Sequence, residues 1–466
     1  MRVIGSTRGI ATFLIVSFSL LVSVCVLFVV REPGYRLYFL HPLVYAVSYA
    51  CVLGPAVRRS SARAFVSVFA LIAGIRFVVL PLLVVVSGHF YGRSRVDPLP
   101  DSFMHAISLM ILELVLCTLL IAFMERKKSA PISRAGSGPE LRKKANVGYW
   151  GFGVVVVAMA VLFPQGLLNL SFVVPSALSR DMQDMSVGVN FTAYTILVLK
   201  NLAFAVFAAN MARRFRSGGS KLWILLAVFG ALVNVSIYWG SSRSDIIITG
   251  VASAILLNWL FGPVVRRYFV LGAALVVVAV ALVSVERETI TYTRGGDAVT
   301  DIADTFQVYT GGVYNVAIAI ETVDYFPEAR GAGVLMMDLF RPMLGPNILL
   351  KDSPYLYSNV YFNQRMWTHV DRRSQIVPMV GQGYIHFGSL LSPLLTSIFV
   401  GLAYFISHIM SSTRSPEIYY FCGLVVVRMG FMMGQNTMNM INDLSMNLFL
   451  FFGVYLINRV LSRRGA

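Results

Sequence analysis

The sequence predicts an all-α polytopic membrane protein of about 12 transmembrane helices, with one large structured loop late in the chain. Three observations carry that expectation. Apolar residues fill 57% of the 466 positions and charged residues only 13%, against roughly 25% charged in water-soluble proteins. Apolar runs close to the roughly 20 residues that cross a bilayer's hydrocarbon core recur along the chain, and mean hydropathy is +0.72. Basic residues gather in alternate connections between those runs, as they do on the cytoplasmic side of membrane proteins.

In chain order the expected spans are 10–30, 38–57, 64–87, 103–124, 148–168, 190–212, 222–240, 245–262, 268–285, 384–410, 417–435 and 444–460. The first follows Arg2 and Arg8 and could pass for a signal peptide. No small-residue cleavage site follows it, only Phe28-Val-Val-Arg-Glu-Pro, so it reads as a retained helix. With the N-terminus inside, the inner segments carry Arg2, Arg8, Arg58, Arg59, Arg63, the Glu125–Lys144 loop, Arg213, Arg214, Arg216, Lys221, Arg266, Arg267, Arg414 and the Arg459–Arg464 tail. That is 22 of 39 basic residues against two acidic ones, Glu125 and Glu140, which places both termini in the cytoplasm.

The whole chain 1–466 is expected to be a single transmembrane domain with two long connections. The inner one, 125–147, holds Ser-Ala-Pro, Ala-Gly-Ser-Gly-Pro and seven basic residues, the composition of a flexible tether. The outer one, 286–380, is far longer than ordinary connections yet rich in aromatics, among them Phe306, Tyr309, Tyr314, Phe340, Tyr361 and Trp367. Disordered segments lack such residues, so this loop should fold. Helical spacing of apolar positions runs over Ile302–Tyr325, interrupted at Gly311-Gly312. This is an interfacial helix or one dipping into the outer leaflet. Gly331–Leu350 reads as a second short apolar helix, broken at Arg341-Pro342 and Gly345-Pro346. A membrane-spanning pair is the less favoured alternative.

The net charge of +17 fits cytoplasmic loops facing anionic lipid better than a nucleic-acid partner. Cys25, Cys51, Cys117 and Cys422 all lie in apolar runs without metal-ligand spacing, so neither disulfides nor a metal centre are expected. Phosphate-binding glycine loops, HExxH and GxSxG are absent from the sequence. No cofactor is called for.

Charges near bilayer depth cost a few kcal/mol unless paired, solvated or snorkelling, so they locate candidate chemistry. Trp239-Gly-Ser-Ser-Arg-Ser-Asp245 makes a tight turn at the outer face, followed directly by Ile246-Ile-Ile. Arg243, flanked by Ser242 and Ser244, then stands at a helix N-terminus whose amides favour an anion, and its planar fork suits phosphate. The alternative is a cap in which Arg243 and Asp245 pair. Arg341, in Asp338-Leu-Phe-Arg-Pro, binds an anionic ligand or packs on Asp338. Arg428 lies mid-span, with Gln435-Asn436 beyond it. Arg76 could pair with Glu113, and Lys200 can snorkel. For proton transfer the outer face offers His386, beside Tyr384 in Gly381-Gln-Gly-Tyr-Ile-His-Phe-Gly388, as a general base or as a hydrogen-bonded structural histidine. Asp304, Glu321, Asp324 and His369 are alternatives.

This order of features resembles the Wzy-type polymerases of O-antigen, enterobacterial common antigen and capsule repeat units. Those proteins share about a dozen spans, an arginine after Gly/Ser in a tight turn before an Ile-rich helix (here Gly240-Ser-Ser-Arg243-Ser-Asp-Ile-Ile-Ile), and a large late periplasmic loop. Asp304-Thr-Phe, Asn315-Val-Ala, Arg341-Pro-Met-Leu-Gly-Pro346, and Pro378, Gly383 and Phe387-Gly388 match the common-antigen branch over roughly residues 150–460. His386 belongs to no shared pattern.

The resemblance implies a GT-C-like architecture in the bacterial inner membrane and a metal-independent glycosyl transfer at the periplasmic leaflet. The donor would be a glycan on undecaprenyl diphosphate. The acceptor would be a sugar hydroxyl of an incoming lipid-linked unit, which displaces the lipid diphosphate. Arg243, His386 and Asp304 are the catalytic candidates. Ser242, Ser244, Arg341, Arg428, Tyr384 and Asn436 are candidates, with Arg243, for holding diphosphate or glycan. Membrane lipid and a chain-length regulator are the further partners this implies. The alternatives are a glycan transferase like the O-antigen ligases, whose loop histidine motif is missing here, and a flippase or transporter.

Overall fold

A computed structural model describes residues 3–92, 96–127, 139–141, 146–172, 187–240, 242–270, 272–274, 277–278, 298–368 and 375–464. It is that of a mostly helical, multi-pass membrane protein. Among the described residues eight helices are long and apolar enough to cross a bilayer: Gly9–Val29, Leu40–Arg59, Arg63–Ser87, Pro100–Arg126, Gly188–Gly218, Arg243–Tyr268, Leu394–Ser412 and Thr437–Ser462.

The other expected spans differ for local reasons. The helices at 148–168 and 222–240 are shorter, Val147–Leu162 and Leu222–Ser236. The second of these ends because Ile237–Trp239 turns into a β-strand. The expected span 384–410 is broken at Gly388, whose φ of 73° takes it out of the helix. The one at 417–435 stops at Gly430, ahead of a single 3-10 turn at Met432–Gly434. Most of the span expected at 268–285 and most of the 125–147 tether lie outside the described residues, as does His369.

The chain forms two compact units, each assembled from separated segments. The first comprises residues 1–132, 292–408 and 428–442, the second 133–291, 409–427 and 443–466.

In the first unit, much of the expected outer loop is part of the core. Helix Ala298–Thr310 ends at Gly311, and helix Val313–Tyr325 follows. Every residue from Val313 to Val323 is buried, so this stretch faces protein rather than lipid. Its apolar residues fall on every side, as in an enclosed helix, and its buried polar groups find partners: Asn315 Nδ2 donates to the Gln307 carbonyl at 3.2 Å and Glu321 pairs with Arg365. It packs against the Pro100–Lys127, Met379–Leu391 and Ser358–Trp367 helices. The expected second helix appears as Ala332–Phe340 and, past the proline break, the single turn Pro346–Leu349. Arg76 and Glu113 do pair: Arg76 Nη1 lies 2.5 Å from Glu113 Oε2 with both side chains fully buried. Arg76 Nε also donates to the Gly311 carbonyl at 3.0 Å, and Thr396 Oγ1 donates to Glu113 Oε1 at 2.7 Å. One ion pair thereby ties the third and fourth long helices to the break ahead of the central one.

In the second unit, helix Val187–Gly218 packs on Leu222–Ser236, which packs on Arg243–Phe261. Tyr420 is fully buried, accepting from Asn234 Nδ2 at 2.7 Å. The Trp259 and Tyr419 rings stack at 4.1 Å, and Phe421 and Phe451 at 3.9 Å. The unit also holds the one departure from all-α structure among the described residues. Strands Leu170–Phe172 and Ile237–Trp239 pair antiparallel, Ser171 opposite Tyr238.

Candidate functional site

The second unit contains the arginine turn. Its base is the short ribbon: the Gly240 amide donates to the Asn169 carbonyl at 2.7 Å, and Ser171 Oγ donates to the Gly240 carbonyl. The Ser242 amide donates to the Trp239 carbonyl at 2.9 Å, closing the turn. Helix Arg243–Phe261 then begins, with Ser242 as its N-cap. Ser242 Oγ accepts from the Asp245 amide at 3.4 Å and lies 3.0 Å from Ser244 Oγ. Ser, Thr, Asn and Asp serve as N-caps because their side-chain oxygens satisfy amides the first turn leaves over. Arg243 is therefore the first residue of a 19-residue helix, half-buried, at its positive end.

Lys200 does more than the sequence suggested. It does not snorkel idly. Its Nζ donates to the carbonyls of Asn234 at 2.7 Å and Ile237 at 2.5 Å. Those carbonyls lie where helix Leu222–Ser236 unwinds into the strand, a place that leaves C-terminal acceptors unsatisfied. The ammonium caps the joint that leads to Arg243.

The first unit contains a second polar centre, built around Asp338 in the last turn of Ala332–Phe340. Arg341 does not reach this carboxylate. Its Nη1 donates instead to the Leu350 and Lys351 carbonyls at 2.7 and 3.2 Å, closing its own proline-kinked loop. Asp338 Oδ2 accepts from Gln382 Nε2 at 2.8 Å and lies 2.8 Å from His386 Nε2. Its Oδ1 accepts from the Ser358 amide at 3.1 Å. Gln382 Oε1 in turn accepts from the Thr437 amide at 2.8 Å. Gln382 and His386 are four residues apart on one helix, so both side chains fall on the same face.

The helix carrying them folds back sharply. A Cβ on Gly383 would lie 1.9 Å from the Ser392 carbonyl oxygen, and Gly388 takes a left-handed φ that glycine adopts without strain. Those two glycines let the chain approach itself closely just past His386. The His386 side chain is 1% exposed, and its Nδ1 has no hydrogen-bond partner among the described residues.

The remaining candidates are dispersed. Asp304 is buried and lies 3.4 Å from His89 Nε2. Glu321 accepts from the Leu99 amide, from Ser102 Oγ and from Arg365, which makes it a structural anchor. Asp324 is exposed. Tyr384 has the Arg330 guanidinium 5.9 Å over its ring and His105 against it edge-on. Asn436 is buried and accepts the Asn439 amide at 2.9 Å, acting as a helix cap. Arg428 is buried in the last turn of Pro416–Gly430.

Three members of the Asp338 network, Ser358, Gln382 and Thr437, were not singled out from the sequence. Ser358 contributes its backbone amide, which leaves no side-chain signature, and its hydroxyl accepts from Gln382 Nε2 at 3.2 Å. Gln382 was legible through its spacing from His386. No protein-family model, curated protein or solved structure matches the chain.

Proposed function

We propose that the chain is a polymerase of undecaprenyl-diphosphate-linked oligosaccharide repeat units, acting at the periplasmic face of the bacterial inner membrane. The twelve-span count, the cytoplasmic termini and the GT-C-like architecture belong to this reading. One observation carries it: Arg243, the first residue of an N-capped helix, on a turn braced by a ribbon and by Lys200. In glycosyl transfer from a lipid diphosphate, the difficult charge develops on the departing diphosphate. A guanidinium held in place beforehand stabilises that charge without reorganising, and the gain is largest where water is scarce. Helix amides at the same end add to it.

In cells, Arg243→Ala should abolish long polymer while protein abundance in the membrane is unchanged. Loss of one such preorganised group costs about 100-fold or more in rate. Arg243→Lys should restore little, because a point charge lacks the bidentate fork. A normal chain-length distribution in the alanine variant would remove the role. Deletion separates polymerase from ligase: loss of a polymerase leaves single repeat units attached downstream, whereas loss of a ligase leaves polymer stranded on its carrier.

A further inference from the structure

We infer that the loop closed by Arg341, residues 341–356, is a membrane-inserted tip. Its Ile348 and Leu349 enter the acyl chains of the leaflet at which the Thr437–Ser462 span begins. Nothing in this depends on the glycosyl-transfer reading.

Leu349 is 88% exposed, more than any other large hydrophobic side chain among the described residues, and Ile348 is 73% exposed. Apolar surface of this kind marks a place of interaction. The two side chains do not sit on a loose segment, because the loop is tied across its base at three places. Arg341 Nη1 donates to the Leu350 and Lys351 carbonyls at 2.7 and 3.2 Å. The Ser358 amide donates to Asp338 Oδ1. The Tyr355 ring packs so closely over Gly333 that a Cβ there would lie 2.5 Å from it. Between these ties Pro342, Gly345 and Pro346 turn the chain, and Pro346–Leu349 forms a single helical turn. A loop held in this way keeps its tip side chains outward instead of folding them onto itself.

Position selects lipid as the occupant. Thr437 Oγ1 donates to the Asp338 carbonyl at 3.3 Å, so the foot of the loop is bonded to the first residue of a 26-residue span. A helix of that length runs about 39 Å, past a hydrocarbon core of about 30 Å. Its first residue therefore stands near a membrane surface, and so does the loop bonded to it. The flanks of the tip suit that depth. Lys351 and Asp352 are exposed beside it, where charge can stay in the headgroup water. Phe340 and Tyr355 are exposed on its two limbs, as aromatic residues are at membrane interfaces. Met336 lies four residues before Phe340, on the same helix face, and extends the apolar surface.

A second copy of the chain fits this surface less well. A stable interface takes about 800 Å² and 20–30 residues from each partner. The exposed large apolar side chains of the loop and the helix before it are Ile348, Leu349, Met336, Phe340, Tyr355 and Leu356.

The test places one bimane label at a time on full-length protein in phosphatidylcholine–phosphatidylglycerol vesicles. Cys25→Ala with Cys51→Ala removes the two cysteines that are not buried, and Cys117 and Cys422 are buried. Ile348→Cys and, separately, Leu349→Cys enter that background, each at a position that faces outward and should leave folding intact. Leu71→Cys, exposed on the Arg63–Ser87 span, is the lipid reference, and Glu328→Cys, exposed in a 3-10 turn, is the water reference. Nitroxide-labelled lipid should quench either tip label as strongly as the one at Leu71→Cys. Iodide in the water should quench it several-fold less than at Glu328→Cys. Quenching by iodide as at Glu328→Cys, with none from the lipid, would put the tip in water and overturn the assignment. Protection from both quenchers would mean that protein covers the tip and would overturn it equally; disulfide-linked dimers of Ile348→Cys would then identify a second copy as the cover.

Discussion

Arg76 and Glu113 are both fully buried and bonded to one another. Burying two charges costs several kcal/mol each, and good geometry with further hydrogen bonds is needed to offset it. Here the Gly311 carbonyl and Thr396 hydroxyl supply those bonds. Removing one partner strands the other, at a cost of about 3–5 kcal/mol. Glu113→Ala should therefore melt far below wild type in detergent, while the paired change Arg76→Met with Glu113→Leu should recover much of the loss. Equal melting of wild type and Glu113→Ala would show the pair to be inert. This pair was legible in the sequence as the union of a mid-span arginine and a mid-span acid. Asp338 was not: it lay three residues from Arg341, and proximity in sequence suggested the wrong partner. Sequence distance says little about pairing when a proline break turns the arginine back onto its own loop.

Helices set what those residues can reach. The Met379–Leu391 helix presents Gln382 and His386 to Asp338 because Gly383 lets the returning chain pass close by. Gly383→Ala would drive its methyl into the Ser392 carbonyl, and it should lower both membrane abundance and monodispersity in detergent. Gly401→Ala is the control, since nothing lies within 4 Å of a Cβ there; it should behave as wild type. Equal behaviour of the two would mean that the fold-back is not close. Element by element, the sequence was most legible where long apolar runs met basic flanks, as at Arg63–Ser87 and Pro100–Arg126. It was least legible at the Val313–Tyr325 helix. Thirteen residues are too short to register as a span, and enclosure on all sides depends on neighbours more than 180 positions away in sequence, such as the Pro100–Lys127 helix. The Ile237–Trp239 strand was hidden for a related reason. Three apolar residues at a helix end carry no period, and their pairing partner lies nearly 70 positions earlier.

At the scale of the whole molecule, composition alone identified a multi-pass helical membrane protein, since the surplus of apolar residues has no other place to go. It did not separate spans from helices enclosed by protein, because both are apolar on every side. Nor did it show that the chain folds as two compact units, each drawn from distant segments. The proposed function rests on a side chain that a bilayer makes expensive, an arginine fixed at a helix start. The most direct measurement gives purified, folded protein only a lipid-linked repeat unit, without nucleotide sugar or added metal, and resolves the products by size. A ladder of lipid-linked oligomers, absent with Arg243→Ala, is the predicted result. Substrate recovered unchanged, or a ladder undiminished in the alanine variant, would contradict it.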